Sequence, residues 1–518
     1  MLHTRGRQAV RFLQGYFVML SRRSVIMGAL VASASFPTVA RAQNPPAGRT
    51  EGNAAGRTIL ELQRRNIQVN GKPASVYGIR QPDGTFGVTT DVGKPFRVRV
   101  ENKIDKPSLI HWHGLTSPWQ QDGVPGVSGP PIPPGGTADY DFPLRFGGTF
   151  WMHSHQGLQE QLLMAAPLII RDQRDRPDQQ EIVVMLADFS FTPPDQIFAE
   201  LKKSGSKAPP AAQAGPPPIA SKASMAGMAK PGAAAKPDLN DVKYDAFLAN
   251  DRTLADPEVV KVEPGGRVLL RIINGSSMSA YHIDLGALDG ELVAVDGFAV
   301  SPMKGRDFPI AVAQRLDIRL VIPRAPAAYP VLAVLEGDRK QTGIILAAGN
   351  APVARVPDLA KMPSTALTLD LERRLRALRP LTPRKADRVH TINLTGDMAK
   401  YIWSLNGVAW TPSVPPLPIA NGERVELVMV KSDRDAAPDA SARSRIPGRR
   451  DRRQALLRGS TRHRPGATGP AGGGGLRRQQ PGHLGLSLPP PLPSGCRHVH
   501  DVAVRLAGRS TEHRRINI

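Results

Sequence analysis

Four histidines of this 518-residue chain form two pairs, His111 with His113 in H-W-H-G and His153 with His155 in H-S-H-Q. On extended backbone, successive side chains point to opposite faces, so both rings of an H-x-H pair point the same way. Neutral imidazole is a ligand for copper, zinc, iron and nickel. One such pair alone is more often two surface or core histidines. Two pairs about 40 residues apart, each in strand context, predict a shared metal site. His282 and His390, the other histidines of residues 43–430, stand alone and are read as structural. The single cysteine, Cys496, excludes a disulfide framework.

The histidines need strands to hold them. One pair follows a strand ending near Asn102, and the other closes the segment from Gly148 to His153. The pattern GKPFRVRVEN, Gly93 to Asn102, recurs as GGRVLLRIIN, Gly265 to Asn274, and begins again as NGERVELVMV, Asn421 to Val430. Gly93, Gly265 and Gly422 are 172 and 157 residues apart, the spacing of three successive domains of similar build. Period-two alternation with Gly and Pro punctuation predicts an all-β chain of tandem Greek-key β-sandwiches. The first spans 55–175 and the second 176–360; 385–430 begins a third, incomplete one. No long helical periodicity interrupts them. Residues 203–237, rich in Ala, Pro, Lys and Gly, read as a flexible insertion in the second domain. Its Met225 and Met228 are soft copper(I) ligands by type, but two methionines in such a stretch read as part of a solvated loop.

The formal charge of +23 does not mark a nucleic-acid binder, because it is concentrated at the two ends. Residues 1–42 carry +6, residues 431–518 carry +12, and the 388 residues between them only +5. The first segment has its own logic. Arg22 and Arg23 precede a short apolar run to Val39 and an A-R-A cleavage site, Ala40 to Ala42. That is the pattern of a twin-arginine signal peptide over 1–42, with Met19 as a second plausible start. The apolar run is too short to span a bilayer, so no transmembrane segment is expected there. Twin-arginine machinery exports folded proteins, which predicts a periplasmic location.

With the H-W-H-G and W-M-H-S-H-Q motifs, the chain resembles the three-domain, laccase-like multicopper oxidases. Supporting matches are W-Q-Q-D-G-V-P from Trp119, Y-D-A-F-L-A-N ending at Asn250, and I-W-S-L-N-G from Ile402. The resemblance covers roughly residues 55–430. It implies cupredoxin-like domains and copper as cofactor, with His111 a ligand of the type 2 copper and His113, His153 and His155 ligands of the type 3 pair. It also implies that Asp122 helps deliver protons to dioxygen; on the sequence alone an Asp-Gly turn is an equal reading. The implied partners are dioxygen and a small-molecule or metal-ion reductant, such as a phenol, a bilirubin-like compound or copper(I). Four-electron reduction of dioxygen needs redox metals, because side chains cannot supply the electrons.

The family pattern has two more signatures in its third domain, H-P-x-H-x-H-G and H-C-H-x-x-x-H-x-x-x-x-M, the second holding a blue copper. Neither follows residue 430. Residues 431–518 instead contain 17 Arg and no Phe, Trp or Tyr, against 26 aromatics before them. This is the composition of a GC-rich gene read out of frame, and the tail is expected to lack a packed core. Shifted by one base, Ala437 to Ser444 can encode His-Pro-Met-His-Leu-His-Gly-His. With the same offset Leu484 to His498 can encode Trp-Ala-Phe-His-Cys-His-His-Leu-Tyr-His-Leu-Ala-Ala-Gly-Met. Cys496, His498 and His500 therefore imitate a copper cluster in the written chain but stand for other residues in the shifted frame.

The function expected is a copper-dependent oxidoreductase, impaired by loss of the third-domain ligands. Two other classes stay open: a non-enzymatic cupredoxin scaffold, and a periplasmic copper-binding protein without turnover. Restoring the shifted frame from codon 431 is expected to give a chain with intense blue thiolate-to-copper absorption, while the written chain stays colourless. A restored chain without that band would mean that the two signatures are accidents of codon degeneracy.

Overall fold

The computed structural model describes residues 56–172, 178–205, 239 and 242–380, most of 382–431, and three short strands beyond them. The expected signal peptide (1–42), most of the insertion with Met225 and Met228, Cys496 and most of the tail lie outside the described residues.

Eight strands build the first domain: β1 Thr58–Val69, β2 Lys72–Arg80, β3 Val88–Asp91, β4 Pro95–Asn102, β5 Ile110–His113, β6 Thr137–Pro143, β7 Gly148–Ser154 and β8 Ala165–Arg171. They form two four-stranded sheets, β2-β1-β4-β6 and β3-β8-β7-β5. Alternation decides which residues face inward. In β4, Phe96, Val98 and Val100 are buried while Arg97 and Arg99 on the other face form ion pairs with Asp141 and Asp139. Opposite them Ile110, Trp112, Phe150, Met152, Leu168 and Ile170 complete a closed core.

The second domain has eleven strands: β9 Gln180–Phe189, β10 Ala246–Ala249, β11 Glu258–Val262, β12 Arg267–Asn274, β13 Tyr281–Asp284, β14 Gly290–Val295, β15 Phe298–Gly305, β16 Asp307–Ile310, β17 Arg315–Val321, β18 Ala327–Leu335 and β19 Gln341–Ala348. Its sheets run β10-β9-β12-β17-β14-β15 and β11-β19-β18-β13-β16 around a second core. The third region contributes β20 Arg388–Asp397, β21 Ile402–Leu405, β22 Leu417–Ile419 and β23 Val425–Lys431. Among the tail residues, β24 Leu484–Gly485, β25 Ala503–Leu506 and β26 Arg514–Asn517 are described. They join sheets β21-β20-β23-β25 and β22-β26-β24.

The sequence repeat is a topological repeat. Each copy of the Gly-initiated strand pairs parallel to the strand that opens its domain: β4 with β1, β12 with β9, β23 with β20. On its other side each pairs antiparallel, with β6, β17 and β25 respectively. One departure is a helix, α1 Pro194–Gly205, with Asp195 in its first turn and Lys202 and Lys203 in its last. Those charges complement the helix dipole. The helix takes in the first residues of the stretch read as a flexible insertion. Among the described residues, no helix is long and apolar enough to cross a membrane.

Buried charge joins the first two domains. Arg271 on β12 is 1% exposed; it donates to Glu181 Oε1 (2.6 Å), Asp317 Oδ2 (3.3 Å) and Thr149 Oγ1 (3.1 Å). Thr149, on β7 of the first domain, in turn donates to Asp317 Oδ1 at 2.5 Å. Removing one partner of a buried pair strands the other charge, at a cost of about 3–5 kcal/mol. Arg271→Leu is expected to lower stability by that amount in urea unfolding of the metal-free chain. A loss under about 1 kcal/mol would show that the network holds nothing together.

Candidate metal centre

Ile110 pairs with Ser154, His111 with His153, Trp112 with Met152 and His113 with Trp151 across β5 and β7. Ile110, Trp112, Phe150 and Met152 are fully buried in the first-domain core. The alternate residues, His111, His113, Trp151 and His153, therefore share the opposite face of the sheet, as an H-x-H pair on extended backbone requires. His155, just past the end of β7, is tied back by its amide to Leu109 O (3.1 Å).

The four imidazoles converge. His111 lies 5.6 Å from His113, 5.6 Å from His153 and 4.9 Å from His155 between ring centroids. His153 lies 5.4 Å from His113 and 4.8 Å from His155. Ligand atoms of His111, His153 and His155 all fall within 4.8 Å of one another. His113 reaches the group through Nδ1, 3.3 Å from His153 Nε2. Trp151 stacks on His153 at 4.1 Å and 14° and tilts against His113, fixing both ring planes.

Two glycines let backbone and side chains approach this closely. Gly114 ends β5 at φ +91°; a Cβ there would meet Arg315 Nη2 at 2.6 Å and the Phe150 ring. Gly123 has φ +73°, and a Cβ would strike Ile110 O at 1.8 Å. Gly123 thus lets the turn Trp119–Gln121 and Asp122 lie directly against β5. There Gln121 O accepts from Trp112 Nε1 (2.9 Å). His111 Nδ1 donates to Asp122 O at 2.7 Å, with Asp122 Oδ1 at 3.5 Å. Ser117 Oγ donates to Asp122 Oδ1 at 2.5 Å. Asp122 is both the turn residue and the carboxylate at the cluster.

Burial sets the protonation of the rings. It pushes His113 well below the ordinary imidazole value, helped by the nearby Arg315 guanidinium. His153 and His155 are likewise pushed down by burial and by neighbouring imidazoles. For His111 burial also acts downward, but the charge and hydrogen bonds of Asp122 outweigh it and raise the value. Three of the four are neutral at pH 7, the form that ligates metal.

Two partners were not singled out by sequence. Glu160 is buried, and its Oε2 lies 3.3 Å from His153 Nδ1. Burial pushes its carboxyl up to about 8, with His111 pulling the other way. The run Q-G-L-Q-E after His155 was the available signal, a polar stretch of which the fold buries the last two residues, Gln159 and Glu160. Arg315 comes from the second domain; its Nε donates to Thr149 O (3.3 Å) and it is 4% exposed. No local pattern connects it to the histidines. His282 engages Asp307 Oδ1 (2.9 Å) and Thr365 O (3.1 Å) in the second domain, and His390 lies on β20; neither belongs to the cluster.

The donor set fits a metal. Imidazole nitrogens bind transition metals at roughly 2.0–2.1 Å, so two on one ion at a near-tetrahedral angle lie about 3.3 Å apart. That is the Nδ1 to Nε2 separation of His113 and His153. The ring nitrogens turned away from the cluster on His111 and His153 face oxygens, as metal-binding histidines commonly do.

Residues 61–175 and 180–349 each match a domain family described as multicopper oxidase. Copper resistance protein A of Pseudomonas syringae pv. tomato is 33% identical over 284 residues, 52% of this chain and 46% of that protein. The chain thus spans about half the length of that relative. Multicopper oxidase MmcO of Mycobacterium tuberculosis is 27% identical over 77% of this chain and 79% of its own. The fold is shared with the crystal structure of Fet3p, a multicopper oxidase that functions in iron import (TM-score 0.57, 18% identity, 72% of each chain). It is shared equally with the laccase of Botrytis aclada (TM-score 0.56, 19% identity, 72% of each chain). With both domain matches falling on the sandwiches that hold and flank the four histidines, the chain belongs to the multicopper oxidase family.

Proposed function

We propose that this chain is the oxygen-side portion of an exported copper oxidase. The observation that carries this reading is the convergence of His111, His113, His153 and His155 on one face of one sheet. His111 serves the type 2 copper and the other three the type 3 pair. When bound, copper supplies the electron transfer and dioxygen binding that side chains lack. The protein's part is to hold neutral rings in fixed planes and to keep the site dry. Asp122, bonded by Ser117 and 3.5 Å from His111 Nδ1, holds a proton-accepting oxygen at the edge of the cluster. Its role is to pass protons toward reduced oxygen.

The reductant is a phenol, a bilirubin-like compound or a metal ion such as copper(I). The names of the copper resistance relatives favour the metal ion. Export follows the twin-arginine route to the periplasm. In the written chain the third-domain ligands and the blue-copper cysteine are replaced by an out-of-frame tail, so electrons have no accepting copper. A chain of this kind binds copper without sustained turnover.

Copper stoichiometry and oxygen uptake test this together. The written chain is expected to bind copper, to lose that binding on His153→Ala with His155→Ala, and to consume no oxygen with phenols or copper(I). Oxygen uptake by the written chain would contradict the impairment; copper binding that survives the double substitution would contradict the ligand set. In a frame-restored chain, Asp122→Asn is expected to slow oxygen uptake by at least about 100-fold, the scale of a lost proton-transfer group. Copper content should be unchanged, because the main-chain oxygen of residue 122 still accepts from His111. An unimpaired D122N enzyme would return Asp122 to a turn residue alone.

A further inference from the structure

Glu160 sits where an acid is costly. It is 5% exposed, and its Oε2 and His153 Nδ1, which face each other at 3.3 Å, are both buried without a hydrogen-bond partner among the described residues. A buried carboxyl without a partner opposes folding, and an apolar side chain of similar size would suit the site better. Its position is nonetheless imposed. The adjacent Gln159 accepts from the Ser108 and Ser154 hydroxyls (2.7 Å each) and donates to Pro107 O (2.8 Å). Its main-chain oxygen accepts from Met164 N at 3.1 Å, and Leu163 takes a left-handed conformation, φ 63°, to close the turn. Three side-chain bonds and a strained residue therefore deliver this carboxylate to one ring.

That ring has two nitrogens with different neighbours. His153 Nε2 faces His113 Nδ1, and His153 Nδ1 faces Glu160. An oxygen acceptor at one nitrogen places the ring proton there and leaves the other lone pair free. His111 shows the same division, with Nδ1 on Asp122 O at 2.7 Å. We propose that Glu160 is a positioning residue: its Oε2, facing Nδ1 of His153, is the acceptor that keeps the ring proton there and so presents Nε2 to copper. Each strand of the β5–β7 pair then has a carboxylate residue behind its ligand, Asp122 for His111 and Glu160 for His153. This rests on the copper-site reading above, and it assigns a role to a residue outside the ligand set.

The test uses the full chain, Glu160→Leu and Glu160→Gln, with three readouts. These are copper(II) affinity by chelator competition, melting temperature without metal, and ring-nitrogen chemical shifts of selectively labelled histidine without metal. E160L is expected to bind copper roughly 10–100-fold more weakly, the usual cost of removing such a support. Its metal-free melting temperature should be equal or higher, and His153 should no longer sit in a single Nδ1–H form. E160Q, whose amide oxygen still accepts, should recover most of the affinity. Unchanged affinity in E160L overturns the proposal. So does a loss of affinity that comes with a lower melting temperature in both variants, which marks a merely structural role. If the wild-type chain takes up no copper while the ring proton of His153 still follows Glu160, the copper-site reading fails and the ring assignment stands supported.

Discussion

The antiparallel register of β5 against β7 is the constraint on which the site depends. Ile110 opposite Ser154 puts His111 opposite His153 and Trp112 opposite Met152. A slip of one residue would exchange the two faces, sending imidazoles into the core and Trp112 or Met152 out of it. The core opposes that slip, because Ile110, Trp112, Phe150 and Met152 are all fully buried, worth roughly 1.5–3 kcal/mol each. The same apolar residues that stabilise the sandwich therefore fix where the imidazoles point.

The second domain supplies none of the clustered histidines, yet the site is not complete without it. Trp151, Ala165, Met185, Ile273 and Ala313 form a shared apolar patch beside the histidines. Arg271, Asp317 and Thr149 tie the start of β7 to β12 and β17, four residues before His153. Arg315 packs at Gly114, next to His113, and helps keep that ring neutral. Clamped at one end by charge and at its centre by Trp151, β7 holds its imidazole rings in place. That is the preorganisation a multi-ligand site requires.

The three-fold repeat was legible because its signal is local: a glycine, then alternation, then asparagine. The structure returns it as one repeated topology, down to a parallel partner in each copy. The histidine pairs were legible for the same reason, since H-x-H on a strand needs only the period of two. Asp122 was half legible; D-G reads as a turn, and only the close approach of Gly123 to Ile110 shows that the turn exists to back His111. Glu160 and Arg315 were not legible, because their partners are set by tertiary packing rather than by spacing. The helix Pro194–Gly205 was missed because it is a single twelve-residue element in an all-β chain that runs straight into the low-complexity stretch. In the tail, the composition carried no sign of the strands Ala503–Leu506 and Arg514–Asn517, which add to the third region's sheets by backbone pairing.

The central claim is that the four histidines of the β5–β7 pair are the copper ligands of this chain. Anomalous diffraction at the copper edge, on crystals of the copper-loaded protein, tests it most directly. The account predicts anomalous peaks within bonding distance of His111, His113, His153 and His155, with no sulfur ligand at any of them. Copper found only elsewhere, or bound to Cys496, would contradict it.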